Sequence, residues 1–92
     1  MLSPPAFNKL CSYFHQDIGD DRPSPEQWID FAKRHLDENE KLIVIRFVDE
    51  LLDGDHDSAE LQRIWFASGA DVYFPEEDHL RGFLGLMRER LR

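Results

Sequence analysis

The stretch from Asp37 to Gly54 constrains the fold of this chain more than any other. It runs from a charged start to a glycine and is apolar on nearly every side. Its apolar residues are Leu42, Ile43, Val44, Ile45, Phe47, Val48, Leu51 and Leu52. The β-branched residues would also suit a strand over 41–48, because a short apolar run has no diagnostic period. Asp37 and Glu40, however, have the spacing of a capping box, and Gly54 can supply a left-handed closing residue. The stretch therefore predicts a helix that the other segments must cover on all sides.

Two segments before this helix carry helix signals of their own. The first begins near Pro4 or Pro5, where the missing amide costs nothing, and has an apolar stripe of Phe7, Leu10, Cys11 and Phe14. The second begins with Ser24 as the cap and Pro25 in the first turn. Its predicted core face consists of Trp28, Phe31, Ala32, His35 and Leu36.

Two further helices follow it. Asp57 or Ser58 caps the fourth helix, which Gly69 ends, and its shared face is Leu61, Ile64, Trp65 and Ser68. The acids at 76–78 favour the start of the last helix, whose buried stripe is Leu80, Phe83, Leu84, Met87 and Leu91. Gly82 and Gly85 are unusual inside a helix, where each costs roughly 1 kcal/mol against Ala, so we expect another group to approach them closely. The connection over 70–75 should be extended and should pack partly on the core.

These elements predict an all-α fold with residues 1–92 as one compact domain. About five helices would pack around the central apolar helix, since a chain of this length suits one domain and no repeat or linker divides it. The aromatic side chains that lie on the apolar stripes should meet in its core. The predicted core set is Phe14, Trp28, Val48, Trp65 and Phe83.

The charge of the chain limits its partners. Nineteen acidic residues against eleven basic ones give a net charge of −8, which disfavours nucleic acid and anionic membranes and makes a basic protein the natural complement. A simpler interpretation is that the acids cap helices and keep the domain soluble. The distribution is uneven, because residues 79–92 hold four arginines and one glutamate.

The sequence predicts a cytosolic protein. It has a single cysteine, Cys11, on an apolar stripe, which suits a reducing compartment and a buried structural role. No apolar run approaches the roughly 20 residues that span a bilayer, and the start lacks the pattern of a signal peptide. Neither a metal set nor a nucleophile elbow is present, so we expect no cofactor, no metal, no small-molecule ligand and no enzymatic activity.

One short run gives a family resemblance. The residues Tyr13-Phe14-His15-Gln16-Asp17, which follow Leu10, resemble the signature of a small family of immunity proteins from bacterial contact-dependent growth inhibition systems. A helix with an early tryptophan, Trp28, follows in the same order, and a Gly, Tyr, Pro pattern precedes the last helix. That pattern consists of Gly69, Tyr73 and Pro75. The chain departs from the family at Ile18 and Phe83, where tryptophan is common.

The resemblance implies a cytosolic immunity protein that binds and neutralises the toxin domain delivered by a neighbouring cell. The signature itself has two interpretations. Tyr13 and Phe14 can close the core while His15 lies against the negative end of the first helix, or Tyr13, His15 and Asp17 can contact the partner. A small acidic adaptor or regulatory protein-binding domain outside any toxin system is the alternative function. A small hydrolase that uses His15 or His79 is a third hypothesis.

Two acidic segments are candidates for the partner surface. Asp20 and Asp21 lie in a loop with no capping pattern, so with Asp17 they could form a rim that meets a basic toxin. The second segment holds Asp53, Asp55 and Asp57. It does not match a calcium loop, because the sixth and twelfth positions lack the required glycine and glutamate.

Overall fold

The computed structural model describes residues 2–15, 18, 22, 24–76 and 78–92, and all regular structure in these ranges is helical. The five helices found there are α1 (Pro5–Cys11), α2 (Pro25–Lys33), α3 (Glu38–Asp53), α4 (Ser58–Ala67) and α5 (His79–Leu91). The Cα radius of gyration is 12.0 Å, which is close to the roughly 12 Å expected for a compact chain of this length. The predicted all-α fold is confirmed, and the run over 41–48 is helix rather than strand.

The longest helix, α3, begins as the sequence predicts. The Asp37 carboxylate accepts from the amide of Glu40 at 2.7 Å, and the Glu40 carboxylate accepts from the amide of Asp37 at 3.0 Å. Its packing differs from the prediction. It packs against α1 and α5, but Leu42 is 54% exposed and Ile43 36% exposed. The expectation that every side of this helix is covered is therefore wrong on the face that carries these two residues.

The end of α3 also differs from the prediction. Gly54 has φ −78° and ψ 169°, so the chain leaves the helix in an extended conformation rather than through a left-handed residue. A side chain at this position would lie 2.8 Å from the backbone oxygen of Glu50 and 2.8 Å from the ring of His56. Glycine is needed here because His56 packs directly against the backbone.

Helix α5 holds the domain together. It packs against α2, α3 and α4, and the five apolar residues predicted for its stripe are all buried. Its arginines reach the neighbouring elements, since Arg88 pairs with Asp49 of α3 at 2.9 Å and Arg90 pairs with Asp30 of α2. These side chains complement the helix dipole, as the sequence predicts, and they also tie α5 to two other helices.

An aromatic cluster occupies the centre of the core. Phe83 lies 5.4 Å from Phe14 and 5.8 Å from Trp65 between ring centroids, and Phe14 lies 5.6 Å from Trp65. Val48 is buried in the same core. The Trp28 ring lies 6.1 Å from the Phe83 ring between centroids, but Trp28 is only half-buried, and its indole nitrogen donates to the backbone oxygen of Arg22. The predicted core is confirmed, with Trp28 at its edge.

The first two helices show smaller differences. Helix α1 ends at Cys11, and Phe14 follows in a tight turn in which its amide donates to the Cys11 oxygen at 2.9 Å. Helix α2 is capped by Ser24 as predicted. Its core face is Ile29, Ala32 and Leu36, however, while Trp28 and Phe31 flank that face and His35 is exposed. The prediction is confirmed for Ala32 and Leu36, but it omitted Ile29 and wrongly included His35.

The connection between α4 and α5 is extended and firmly attached. Gly69 ends α4 in the left-handed region with φ +104°, as predicted. The indole nitrogen of Trp65 then donates to the oxygen of Val72 at 2.8 Å, and the amide of Asp71 donates to the oxygen of Phe14 at 2.7 Å. Val72 and Phe74 pack on the core, so the prediction that part of this segment is buried is confirmed.

Candidate functional site

The signature that begins at Tyr13 divides between the core and the surface. Phe14 is fully buried, whereas the half-buried Tyr13 ring stacks on His35 with centroids 4.1 Å apart. Phe31 meets both rings edge to face, and the guanidinium of Arg22 lies 3.7 Å above the Phe31 ring. This arrangement fits the interpretation in which the two aromatic residues of the signature close the core at the end of α1.

The other signature residues are His15, Gln16 and Asp17, and the structure describes only His15 among them. His15 is exposed, and its backbone oxygen accepts from the amide of Ile18 at 3.0 Å. Asp17, Asp20 and Asp21 lie outside the described residues, so their role as an acidic rim stays a prediction. The structure therefore describes two of the candidate partner contacts in the signature region: Tyr13 is half-buried, and His15 is exposed to solvent.

The second candidate segment connects α3 to α4. Asp53 is the last residue of α3 and Asp55 is exposed, but Asp57 caps α4 by accepting from the amide of Glu60 at 2.8 Å. Asp57 therefore has a structural role in addition to any contact with a partner. Within this connection His56 pairs with Glu60, Nδ1 to Oε1 at 2.7 Å. The backbone oxygen of His56 also accepts from Arg81 of α5 at 2.6 Å, which fixes the connection to the rest of the domain.

The carboxylates at the two ends of α3 have opposite environments. At its start Glu38 pairs with Lys41 and Glu40 pairs with Lys9, both within 3.2 Å. At its end Glu50, Asp53 and Asp55 are exposed, the last turn has no basic residue, and none of the three has an ion-pair partner in the described ranges. The partial negative charge at a helix C-terminus opposes carboxylates in the last turn, here Glu50 and Asp53, by about 0.3 to 1 kcal/mol each. This end of α3 is electrostatically unfavourable for the isolated domain.

The two candidate surfaces lie at opposite ends of α3. Tyr13 stacks on His35, which precedes the start of that helix, whereas Asp53 is its last residue and Asp55 follows it. The helix has 16 residues, and at 1.5 Å per residue it separates the two ends by about 24 Å. Of the described candidates, Tyr13 and His15 therefore lie far from Asp53, Asp55 and Asp57, in keeping with two separate candidate segments.

An exposed aromatic pair was not predicted. Phe66 of α4 and Tyr73 of the extended connection stack with centroids 6.3 Å apart, and they are 41% and 65% exposed. Tyr73 is held between two anchored neighbours, because Trp65 donates to the Val72 oxygen and Gln62 donates to the Phe74 oxygen. The sequence has no clear signal for it, because Val72, Tyr73 and Phe74 are three apolar residues in succession and only the structure shows that Tyr73 is the exposed one.

The described residues contain no cluster of three or more His, Cys, Asp or Glu side chains suited to hold a metal ion. Cys11 is buried, and burial raises the pKa of its thiol far above the usual range. Neither His15 nor His79 forms a side-chain hydrogen bond with another described residue. Among the helices described, none has both the length and the apolar character required to cross a membrane.

Comparison of the chain with protein-family models, with curated proteins and with solved structures finds no match in any of the three. The candidate site is therefore defined by its own geometry: at the end of α3 the domain presents carboxylates that have no ion-pair partner among the described residues.

Proposed function

We propose that this chain is an immunity protein that binds and neutralises the toxin domain of a contact-dependent growth inhibition effector. The resemblance of the run from Tyr13 to Asp17, with Trp28 and the Gly, Tyr, Pro pattern in the same order, supports this proposal. The partner would be a protein domain with a basic surface, and the binding would need no cofactor.

One structural observation supports the proposal best. Glu50, Asp53 and Asp55 stand exposed and unpaired, within the described ranges, at the negative end of α3. Capping and pairing account for Asp57, Glu38 and Glu40 elsewhere, but neither accounts for these three. Carboxylates that reduce the stability of the free domain become favourable when a cationic surface covers them.

The mechanism would be electrostatic capture followed by steric exclusion. Complementary fields raise association rates from roughly 10⁵–10⁶ to as much as 10⁸–10⁹ M⁻¹s⁻¹ at low salt. A rapid encounter matters for immunity, because the toxin must be bound before it turns over its substrate. Once bound, a domain held rigid by its aromatic core would cover the basic cleft and keep the substrate out.

The test is coexpression of this chain with the product of the gene that precedes its own. We expect the two proteins to co-purify, and we expect the chain to restore growth to cells that produce the toxin domain. A chain that co-purifies with a non-toxic protein would instead support the acidic adaptor. A chain that neither binds nor protects would overturn the immunity function.

A further inference from the structure

A groove lies between the start of α2, the extended connection and the first half of α5. It has a volume of about 320 Å³, near the lower end of the roughly 300–1,000 Å³ range of small-molecule sites. Its walls include Pro25, Phe74, Phe83 and Leu86, so most of its lining is apolar. Asp78 and His79 also line the groove, and both are exposed to solvent.

The packing of the domain does not explain the glycine in this groove. Gly82 lines it from the middle of α5, where glycine is among the least favourable residues. The sequence predicted a closely approaching group at this position. That prediction is wrong, because a Cβ atom added at Gly82 meets nothing within 4 Å beyond the backbone of its own helix. The missing side chain leaves the groove open.

The carboxylate of Asp78 has no structural partner in the described part of the chain. Asp78 occupies the cap position of α5, but its side chain forms no capping hydrogen bond, in contrast to Asp37 and Asp57 at the starts of α3 and α4. It also forms no ion pair with a described residue. A free carboxylate thus stands beside an apolar floor.

We propose that this groove receives an arginine side chain from the partner protein. The methylene stem would lie on Phe83 and Leu86, and the guanidinium would pair with Asp78 at the rim. The inference rests on the proposed function, which requires a basic partner. A purely apolar side chain fits less well, because it would desolvate the Asp78 carboxylate without a counter-charge. Arginine fits better than lysine, since its planar guanidinium is weakly hydrated and can stack on the half-buried ring of Phe74.

The inference can be tested without knowledge of the toxin. The isotope-labelled chain is titrated with N-acetyl-arginine methylamide and, separately, with the citrulline analogue, which has the same shape and no charge. We expect saturable shifts of the amide signals of Gly82, Phe83 and Leu86. The affinity for the arginine probe should exceed that for citrulline by about two- to fivefold, the range of a partly exposed ion pair. In Asp78→Asn this preference should disappear.

Gly82→Leu provides the blocking variant, and Gly85→Leu is its matched control. Both replace a glycine of α5 beside which an added Cβ meets nothing within 4 Å, but only Gly82 lines the groove. Both variants should fold, as circular dichroism would verify. Only Gly82→Leu should lose the arginine-dependent shifts. Equal shifts with both probes, or shifts that persist in Gly82→Leu, would overturn the proposed site.

The growth assay separates the two proposals. If the parent protects cells from the toxin, Gly82→Leu should protect less well than Gly85→Leu. Equal protection by the two variants would remove the groove from the interface and leave the immunity function intact. If the parent does not protect, the immunity function fails, and with it the assignment of the arginine to a toxin. The probe titration would then still decide whether the groove binds a guanidinium group.

Discussion

Arg90 of α5 holds Asp30 of α2 through two parallel hydrogen bonds, Nε to Oδ1 at 2.9 Å and Nη2 to Oδ2 at 2.5 Å. Lys33 adds a contact to the same carboxylate at 3.3 Å. The hydrogen bond from Arg90 is the main reason that the pKa of Asp30 falls from 3.8 to about 2. The starts of these two helices are 54 residues apart in the chain, so the pair reports on how the helices dock.

The pH dependence of stability should show this pair. A folded-state pKa below the unfolded value means that the stabilisation is complete above about pH 4 and is lost as the pH falls toward about 2. Asp30→Asn should therefore melt at a lower temperature than the parent at pH 7, and the difference should shrink as the pH falls through that window. Thermal melts at several pH values measure this. The control is Asp71→Asn, because Asp71 is exposed and its side chain contacts no other described residue. This variant should show the same pH dependence of the melting temperature as the parent.

Truncation of the aromatic core should distinguish its centre from its edge. Phe14→Ala should cost about 3 to 5 kcal/mol of unfolding free energy, because it leaves a cavity between Trp65 and Phe83. Trp28→Ala should cost less, since this side chain is only half-buried. Urea denaturation of the two variants gives the comparison. Equal losses would mean that Trp28 belongs to the centre.

Replacement of Gly69 and of Gly85 by alanine should change the stability of the domain in opposite directions. Gly69→Ala should destabilise by about 1 to 2 kcal/mol, because φ +104° is unfavourable for a residue with a Cβ atom. Gly85→Ala should stabilise by up to about 1 kcal/mol, because the methyl group enters open space on a helix. Thermal or chemical unfolding measures both. A loss of stability in Gly85→Ala would reveal a contact that the structure does not contain.

The acidic end of α3 should show a conflict between stability and binding. Asp53→Asn with Asp55→Asn should raise the unfolding free energy slightly, by about 0.3 to 1 kcal/mol per charge removed near the helix end. The same double variant should associate more slowly with the toxin and show a weaker salt dependence. Melting curves and stopped-flow rates at two salt concentrations test the two parts.

The matched comparison is Asp20→Asn with Asp21→Asn, which removes the same charge from the loop near the signature. This variant should leave folding nearly unchanged. If the loop forms the interface rim, it is this variant that should lose rate and salt dependence, with each lost contact worth about 1 kcal/mol or less. The rates of the two double variants should identify which of the two acidic segments meets the partner.

Local signals predicted most of the helices. The capping box at Asp37, the proline after Ser24 and the left-handed Gly69 act within a few residues, and each appears where expected. The sequence was less informative about which face of each helix is buried. On α2 two adjacent stripes are apolar, and the choice of Ile29 for the core depends on how the helix docks against α5 rather than on its own period.

The sequence by itself determined the helical class, the caps, the buried stripe of α5 and the excess of acidic charge, because these follow from local backbone chemistry and composition. Tertiary structure alone decided that Leu42 and Ile43 remain exposed, that Gly82 opens a groove, and that Tyr13 and Asp53 lie near opposite ends of α3. These outcomes depend on the positions of several helices at once. Periodicity describes which faces of a helix are apolar, but only packing decides which of them another element covers.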